Sequence, residues 1–349
     1  MRAVGIGLLG CGNVGAAFWG LAERIRTYTA MRDGRTFDVR RVLVRDREKP
    51  RPQHVRYDRL TEDAYDVLAD PEIEIVVEAM GGFEPARSYL LEALRRGKHV
   101  VTANKVVMAK AWAELWAAAE QSGAALRFEA AVGAALPVVE SLRGSLSAAP
   151  VLSVRGIVNG TSNYILTRMG EGLEFAEALA EAQRLGYAEP DPADDIDGHD
   201  AAYKIAILAA LAFGWNIDMS EVKVEGIRGI TQADVIAARK AGREIKLVAQ
   251  AEQLPDGELD LQVGPVELPN SDPLANVRGV ENAVVVEGDP LGTVTFRGPG
   301  AGPGPTAAAL MGDVRRIELG GDARIVRTGS PAWRAATRET MLRVSSDAD

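Results

Sequence analysis

In the first third of the chain, short apolar runs of strand length alternate with stretches whose apolar residues recur every three or four positions. AVGIGLLG (Ala3–Gly10) is one such run, and the segment from Cys11 to Ala30 after it has helical spacing. The alternation returns in FDVRRVLV (37–44), IEIVVEAM (73–80), the helical EPARSYLLEALRRG (84–97) and HVVTAN (99–104). Strands separated by helices predict an α/β protein with a parallel, doubly wound sheet. After LRFEAAVGAALPVVESL the alternation loosens. The strand VLSVRGIVNG runs into GTSNYIL, where Thr161 or Ser162 is the expected helix cap. EFAEALAEAQRLG reads as an amphipathic helix stopped by Gly186. DAAYKIAILAALAFGW is apolar nearly all round, which predicts a buried helix.

Composition narrows the function classes. With 349 residues and 47% hydrophobic content the chain can bury a core spanning two or three structural units. A formal charge of −9 argues against nucleic acid as a partner, because phosphate binding needs clustered cations. The single cysteine, Cys11, rules out an intrachain disulfide framework and fits a reducing compartment. His54, His99 and His199 are too scattered for a zinc site. No apolar run approaches membrane-span length and the N-terminus lacks a signal-peptide pattern, so the expected location is cytoplasmic.

Where the first strand hands over to the first helix the order is Gly10-Cys11-Gly12-Asn13-Val14-Gly15. In this G-x-G-x-x-G arrangement Gly10 permits a tight turn, Gly12 lets backbone approach a pyrophosphate, and Gly15 allows close helix packing. Cys11 reads as a small packing residue rather than a redox sensor. After the second strand comes RDREKPR (45–51). A carboxylate there suits the ribose hydroxyls of NAD and an arginine suits the 2′-phosphate of NADP. Arg45 and the cations around it outnumber Asp46, which favours NADP. Lys105 follows the strand HVVTAN, on the side where open parallel sheets bind ligands.

AEPDPADDIDGHDAAYK (188–204) packs six carboxylates before one lysine. Setting Gly198 at the sixth position of an EF-hand loop places Ala193 first and Lys204 twelfth, and both positions fail as ligands. Asp200 and Lys204 are four residues apart on one helical face, so the expected arrangement is organised anions around one cation. His199, in a loop, reads as a polar residue at the surface or one layer behind the site.

NGTSNYIL with AQRLGYAEPDPADDIDGHDAAYK resembles the signature region of homoserine dehydrogenases, as do VVEAMGGFEPA, VTANK, EAAVGAALP and GPGAGPGPTAAALMGDV. These blocks keep the family's order over most of the chain. The resemblance implies reversible NAD(P)-dependent oxidation of L-homoserine to L-aspartate 4-semialdehyde, on the route to threonine and methionine. It implies a Rossmann-type domain over residues 1–137 completed by about 300–325. Residues 138–299 would then form an α+β catalytic and dimerisation domain with a mixed sheet, followed by a tail over 326–349. It matches Glu189, Asp195, Gly160 and Thr161 to substrate-binding positions, Asp200 and Lys204 to the pair near the reacting hydroxyl, and Lys105 to the lysine between nicotinamide and substrate. Gly300 matches a position near the nicotinamide, with a closing helix from Thr306. Glu129 and the carbonyls of Val132 and Ala134 match a monovalent-cation loop, of a kind suited to Na+. Many members have glycine where this chain has Ala135, which would be strained there at positive φ. The family is usually dimeric.

A lysine acting as base must be neutral, and flanking carboxylates favour its charged form. Lys204 is therefore expected to hold and polarise the substrate oxygen while Lys105 moves the proton. About thirty residues follow Leu319, shorter than the regulatory ACT domain of longer members, so weak or no threonine inhibition by that route is expected. Two rival readings are an NAD(P)-dependent oxidoreductase acting on a related amino acid or semialdehyde, and a catalytically silent dinucleotide sensor.

Overall fold

The computed structural model describes residues 2–320. The expected tail over 326–349 lies outside them. Two compact units are present: residues 2–135 with 301–320, and Leu136–Gly300.

The first unit is built on six strands, β1 (Arg2–Leu9), β2 (Arg35–Leu43), β3 (Leu60–Thr61), β4 (Ile75–Glu78), β5 (His99–Thr102) and β6 (Leu126–Arg127). They lie in the order β3-β2-β1-β4-β5-β6. Every adjacent pair is parallel. The order reverses between β1 and β4, the switch point at which such sheets bind ligands. Six consecutive residues of β1 and all four of β4 are buried, as expected where helices cover both faces of a parallel sheet.

The single helix expected over residues 11–30 is two, Asn13–Arg24 and Arg26–Asp33, broken at Ile25. Thr29 alone of the second is buried, so no continuous apolar face keeps the pair in line. The helix expected from Thr306 starts earlier and spans Pro303–Glu318, because proline is well suited to the first turn, where a backbone N–H is dispensable. It packs on Asn13–Arg24. Its Ala307, Leu310, Met311 and Val314 share a core with Ile6, Leu8, Phe18 and Trp19, and Cys11 packs against that core.

The second unit holds β7 (Val151–Ile157), β8 (Lys223–Val224), β9 (Arg243–Gln253), β10 (Leu259–Pro269), β11 (Glu281–Gly288) and β12 (Gly292–Pro299). Their order is β12-β11-β7-β9-β10-β8. The sheet is mixed: β8 pairs parallel to β10 and the remaining pairs are antiparallel. Helix His199–Phe213, apolar on nearly every face, packs on β7 and β9. Its first turn carries Asp200, and one turn later Lys204 follows.

Candidate functional site

In the first unit the glycine turn sits at the carboxyl end of β1. Gly10 adopts φ 95°, in the left-handed region that side chains disfavour, and a Cβ there would stand 2.8 Å from the carbonyl oxygen of Ala79. A Cβ on Gly15 would overlap the carbonyl oxygen of Gly10, so glycine lets the helix close onto the turn. A Cβ on Gly12 would meet nothing within 4 Å, so that side of the turn is open for a ligand to approach. Asn13 and Val14 begin the helix, whose first N–H groups lack intrahelical acceptors and favour an anion. The turn therefore fits a dinucleotide's pyrophosphate.

Arg45 is exposed just beyond β2. Asp46 is exposed as well, and its carboxylate accepts from the N–H of Glu48 at 2.8 Å. Arg51 closes that loop by donating to the carbonyls of Asp46 (2.6 Å), Lys49 (2.8 Å) and Arg47 (3.2 Å). Its guanidinium also meets Cys11, whose thiol is pushed up by burial against the opposing pull of this cation. The basic loop is thereby fastened to the glycine turn.

Lys105 opens the helix Lys105–Lys110, capped by Asn104, whose side chain accepts from the N–H of Val107 at 3.1 Å. The Asn104 amide donates to the carbonyl of Gly82 at 2.7 Å and, at 3.4 Å, to Glu78. Glu78 is fully buried at the end of β4 and accepts from the N–H groups of Met80 (2.7 Å) and Gly81 (3.2 Å) and from the Thr102 hydroxyl. Burial pushes its carboxyl up, and these donors oppose the shift. Sequence reading passed over Glu78. The available signal was an acid ending an apolar strand, which requires buried donors.

Glu129 is buried, and its N–H donates to Asp313 at 2.8 Å. Val132 is extended. The concern over Ala135 falls on the wrong residue: φ is positive at Gly133 (70°) and Ala134 (44°). The backbone reverses one position before the one expected from the motif. Among the described residues no group of three or more His, Cys, Asp or Glu side chains could hold a metal ion. A cation here would depend on carbonyl oxygens.

In the second unit the acidic segment is partly helical, with a turn over Ala193–Ile196 before Gly198 reverses the chain at φ 87°. Neither Thr161 nor Ser162 caps the helix Gly160–Met169. Asn159 does, accepting at 2.8 Å from both the N–H and the hydroxyl of Ser162, because the residue just before the first turn is the one whose side chain can reach back to the free N–H groups. The same side chain donates to Asp195 at 2.6 Å and to Asp200 at 2.8 Å. Lys204 donates to Asp200 at 2.7 Å and to the carbonyl of Val158 at 2.6 Å. Thr161 donates to the carbonyl of Tyr187 at 2.8 Å, and its hydroxyl lies close enough to Asp195 to draw that carboxyl down. Burial pushes the Asp195 carboxyl up, the bond from Asn159 draws it down, and the charge of Asp200 pushes it up again.

The structure thus gathers Asp195, Asp200, Lys204 and Thr161 around Asn159, a residue sequence reading did not single out. Gly160 comes so close to the carbonyl of Val280 that a Cβ would stand 2.9 Å from it. Glu189 is exposed and makes none of these bonds, though its carbonyl accepts from Gln183 at 3.3 Å. Asp197 pairs with Arg228, and His199 is exposed. Gly300 is the last residue of this unit. The Asn282 amide occupies the place where a Cβ would stand, so packing alone demands glycine there.

Two family profiles match the chain: "Homoserine dehydrogenase, NAD binding domain" over residues 10–129 and "Homoserine dehydrogenase" over 137–314. The chain belongs to the homoserine dehydrogenase family. It is similar to the homoserine dehydrogenase of Synechocystis, 46% identical over 318 residues, covering 90% of this chain and 73% of that one. Among solved structures it resembles a homoserine dehydrogenase from Thiobacillus denitrificans, with TM-score 0.86, 41% identity and coverage of 91% and 73% of the two chains. A hyperthermophilic archaeal homoserine dehydrogenase in complex with NADPH matches with TM-score 0.78 at 29% identity, over 93% of this chain and all of that one. As a homoserine dehydrogenase, the protein is an NAD(P)-dependent oxidoreductase acting on homoserine, an activity of amino-acid biosynthesis. No described helix is long and apolar enough to cross a membrane.

Proposed function

We propose that the cluster around Asn159 is the substrate site for the oxidation of L-homoserine to L-aspartate 4-semialdehyde, and that NADP is the preferred cofactor. The observation that carries this reading is the bonding of Lys204 to Asp200 within a group of carboxylates. The lysine ammonium has three donors, two of them used by Asp200 and Val158, so one remains for the substrate hydroxyl. Holding that oxygen on a cation stabilises the negative charge that develops as its proton leaves. Lys105 takes the proton. Asp195 and Glu189 receive the substrate ammonium, and Gly160 and Thr161 complete the substrate loop.

When bound, NAD(P) accepts the hydride from the carbon bearing the hydroxyl. Gly10, Gly12, Asn13, Val14 and Gly15 hold its pyrophosphate, and Gly300 belongs to the nicotinamide end. The preference for NADP is supported by exposed Arg45 beside an Asp46 with one carboxylate oxygen bonded by its own loop. A carboxylate facing ribose hydroxyls would suit NAD instead. The reading extends to a monovalent cation such as Na+ at Glu129, Val132 and Ala134, for which oxygen donors are the suitable chemistry. It extends also to a cytoplasmic homodimer; exposed Leu152, Val224 and Val266 on strands of the second sheet favour such an association. The roles of the two units, cofactor binding for the first and substrate binding with dimerisation for the second, are part of the same proposal.

The test is reduction of NAD and of NADP by the purified protein with L-homoserine, using L-serine and L-threonine as controls. Faster reduction of NADP with homoserine alone supports the proposal. A folded protein that binds either cofactor yet reduces neither would overturn it.

A further inference from the structure

The peptide Val158–Asn159 holds all three charged groups of the substrate cluster. The Val158 carbonyl takes Lys204, and the Asn159 amide nitrogen takes both Asp195 and Asp200. These two acids come from different elements, the turn Ala193–Ile196 and the helix His199–Phe213. Their separation is therefore set by a shared donor and not by either element alone. The amide is 4% exposed, and its oxygen is committed to Ser162. Its orientation is forced, since the opposite assignment would aim an oxygen at two carboxylates and an NH2 at a backbone N–H.

The geometry points to Asn159 as a positioning residue of the homoserine site, acting through Asp195 and Asp200, which its two N–H bonds hold at a fixed angle and separation. Only an amide side chain offers two donors and an acceptor on one planar group. Its donors offset the repulsion of two neighbouring anions, while Lys204 neutralises one of them by bonding the same Asp200 oxygen that Asn159 bonds. The inference rests on the assignment of Asp195, Asp200 and Lys204 to substrate proposed above.

Serine and aspartate are both good helix caps. Asn159→Ser and Asn159→Asp therefore preserve the structural role of Asn159 while removing its two donors. Asn159→Ser is expected to lower kcat/KM for homoserine at least tenfold while the melting temperature stays close to that of the parent. Asn159→Asp places a third carboxylate beside Asp195 and Asp200, the second of which pairs with Lys204. It is expected to lower kcat/KM further and to move the acid limb of the pH profile to higher pH, a shift that a capping role alone would not cause. Asp200→Ala is the control. If Asp200→Ala is inactive while Asn159→Ser keeps near-parental kcat/KM, the positioning role is overturned and the site assignment stands. If Asp200→Ala is itself fully active, the site assignment fails and the inference falls with it. Loss of folding in both Asn159 variants would show a structural role and overturn the inference.

Discussion

Lys204 is held at two points, 2.7 Å from the Asp200 carboxylate and 2.6 Å from the carbonyl oxygen of Val158. Asp200 is buried and Lys204 nearly so, with 12% of the lysine side chain exposed. A lysine so anchored cannot swing between partners, which suits an electrophilic group better than a mobile base. Lys204→Ala is expected to reduce kcat about 10²- to 10³-fold, the usual cost of removing one group that stabilises developing oxyanion charge. Steady-state kinetics with saturating cofactor would measure this, and a fall of less than threefold would contradict it.

Lys105 begins a helix whose cap, Asn104, is tied to Gly82 and Glu78. Lys105 thus stands at the start of a braced turn. Removing a proton-transfer group costs about 10²- to 10⁴-fold in rate. Lys105→Ala should show that loss in turnover while the cofactor dissociation constant, read by fluorescence titration, stays within about threefold. Near-parental turnover would remove Lys105 from its assigned role.

Asp195 gives a test that separates stability from activity. Its carboxyl is raised, by burial first, while in the unfolded chain it titrates near the ordinary value of about 3.9. Between those two values the folded state binds more protons than the unfolded state, so stability falls as pH rises through that window and the loss persists at neutral pH. Asp195→Asn keeps an acceptor for Asn159 and removes the charge. It should be more stable than the parent at pH 7, with the difference shrinking as pH falls toward about 4, where both states are protonated. Its KM for homoserine should rise. Denaturant melts across pH, paired with kinetics, would decide; a variant less stable at pH 7 would contradict the prediction.

Arg45 and Arg51 lie in one loop and are expected to behave differently. Arg51 is bonded to three carbonyls of its own loop and braces it, whereas Arg45 is exposed. Arg45→Ala should raise KM for NADP about tenfold, the equivalent of about 1.4 kcal/mol, and change KM for NAD little. Arg51→Ala should weaken both cofactors alike, since the loop it closes is fastened to Cys11 of the glycine turn. Equal effects of Arg45→Ala on both cofactors would remove it from the 2′-phosphate.

Much of the architecture was legible in the chain because hydrophobic periodicity is local. The runs at Ala3–Gly10 and Ile73–Met80 identified strands β1 and β4, and the apolar helix before Trp215 announced its own burial. The glycine turn was equally readable, since its φ at Gly10 and its close approach at Gly15 are demands that short sequence can meet only with glycine. Boundaries were less so: the break at Ile25 and the start at Pro303 depend on what each turn packs against.

The candidate site divides in the same way. Asp200 and Lys204 were paired from their spacing, because four residues on a helix is one turn. Asn159 and Glu78 were not, because their partners lie 36 and 41 residues away in one case and up to 26 in the other. The left-handed residue at Ala134, one position from where the motif placed it, likewise required the backbone path. Sequence by itself determined the order of strands and helices and the chemical groups present, since both are written in periodicity and residue type. Tertiary structure alone decided which buried polar atoms share a donor, because a hydrogen bond between distant segments is set by how the sheet and its helices pack, and no local pattern encodes that distance.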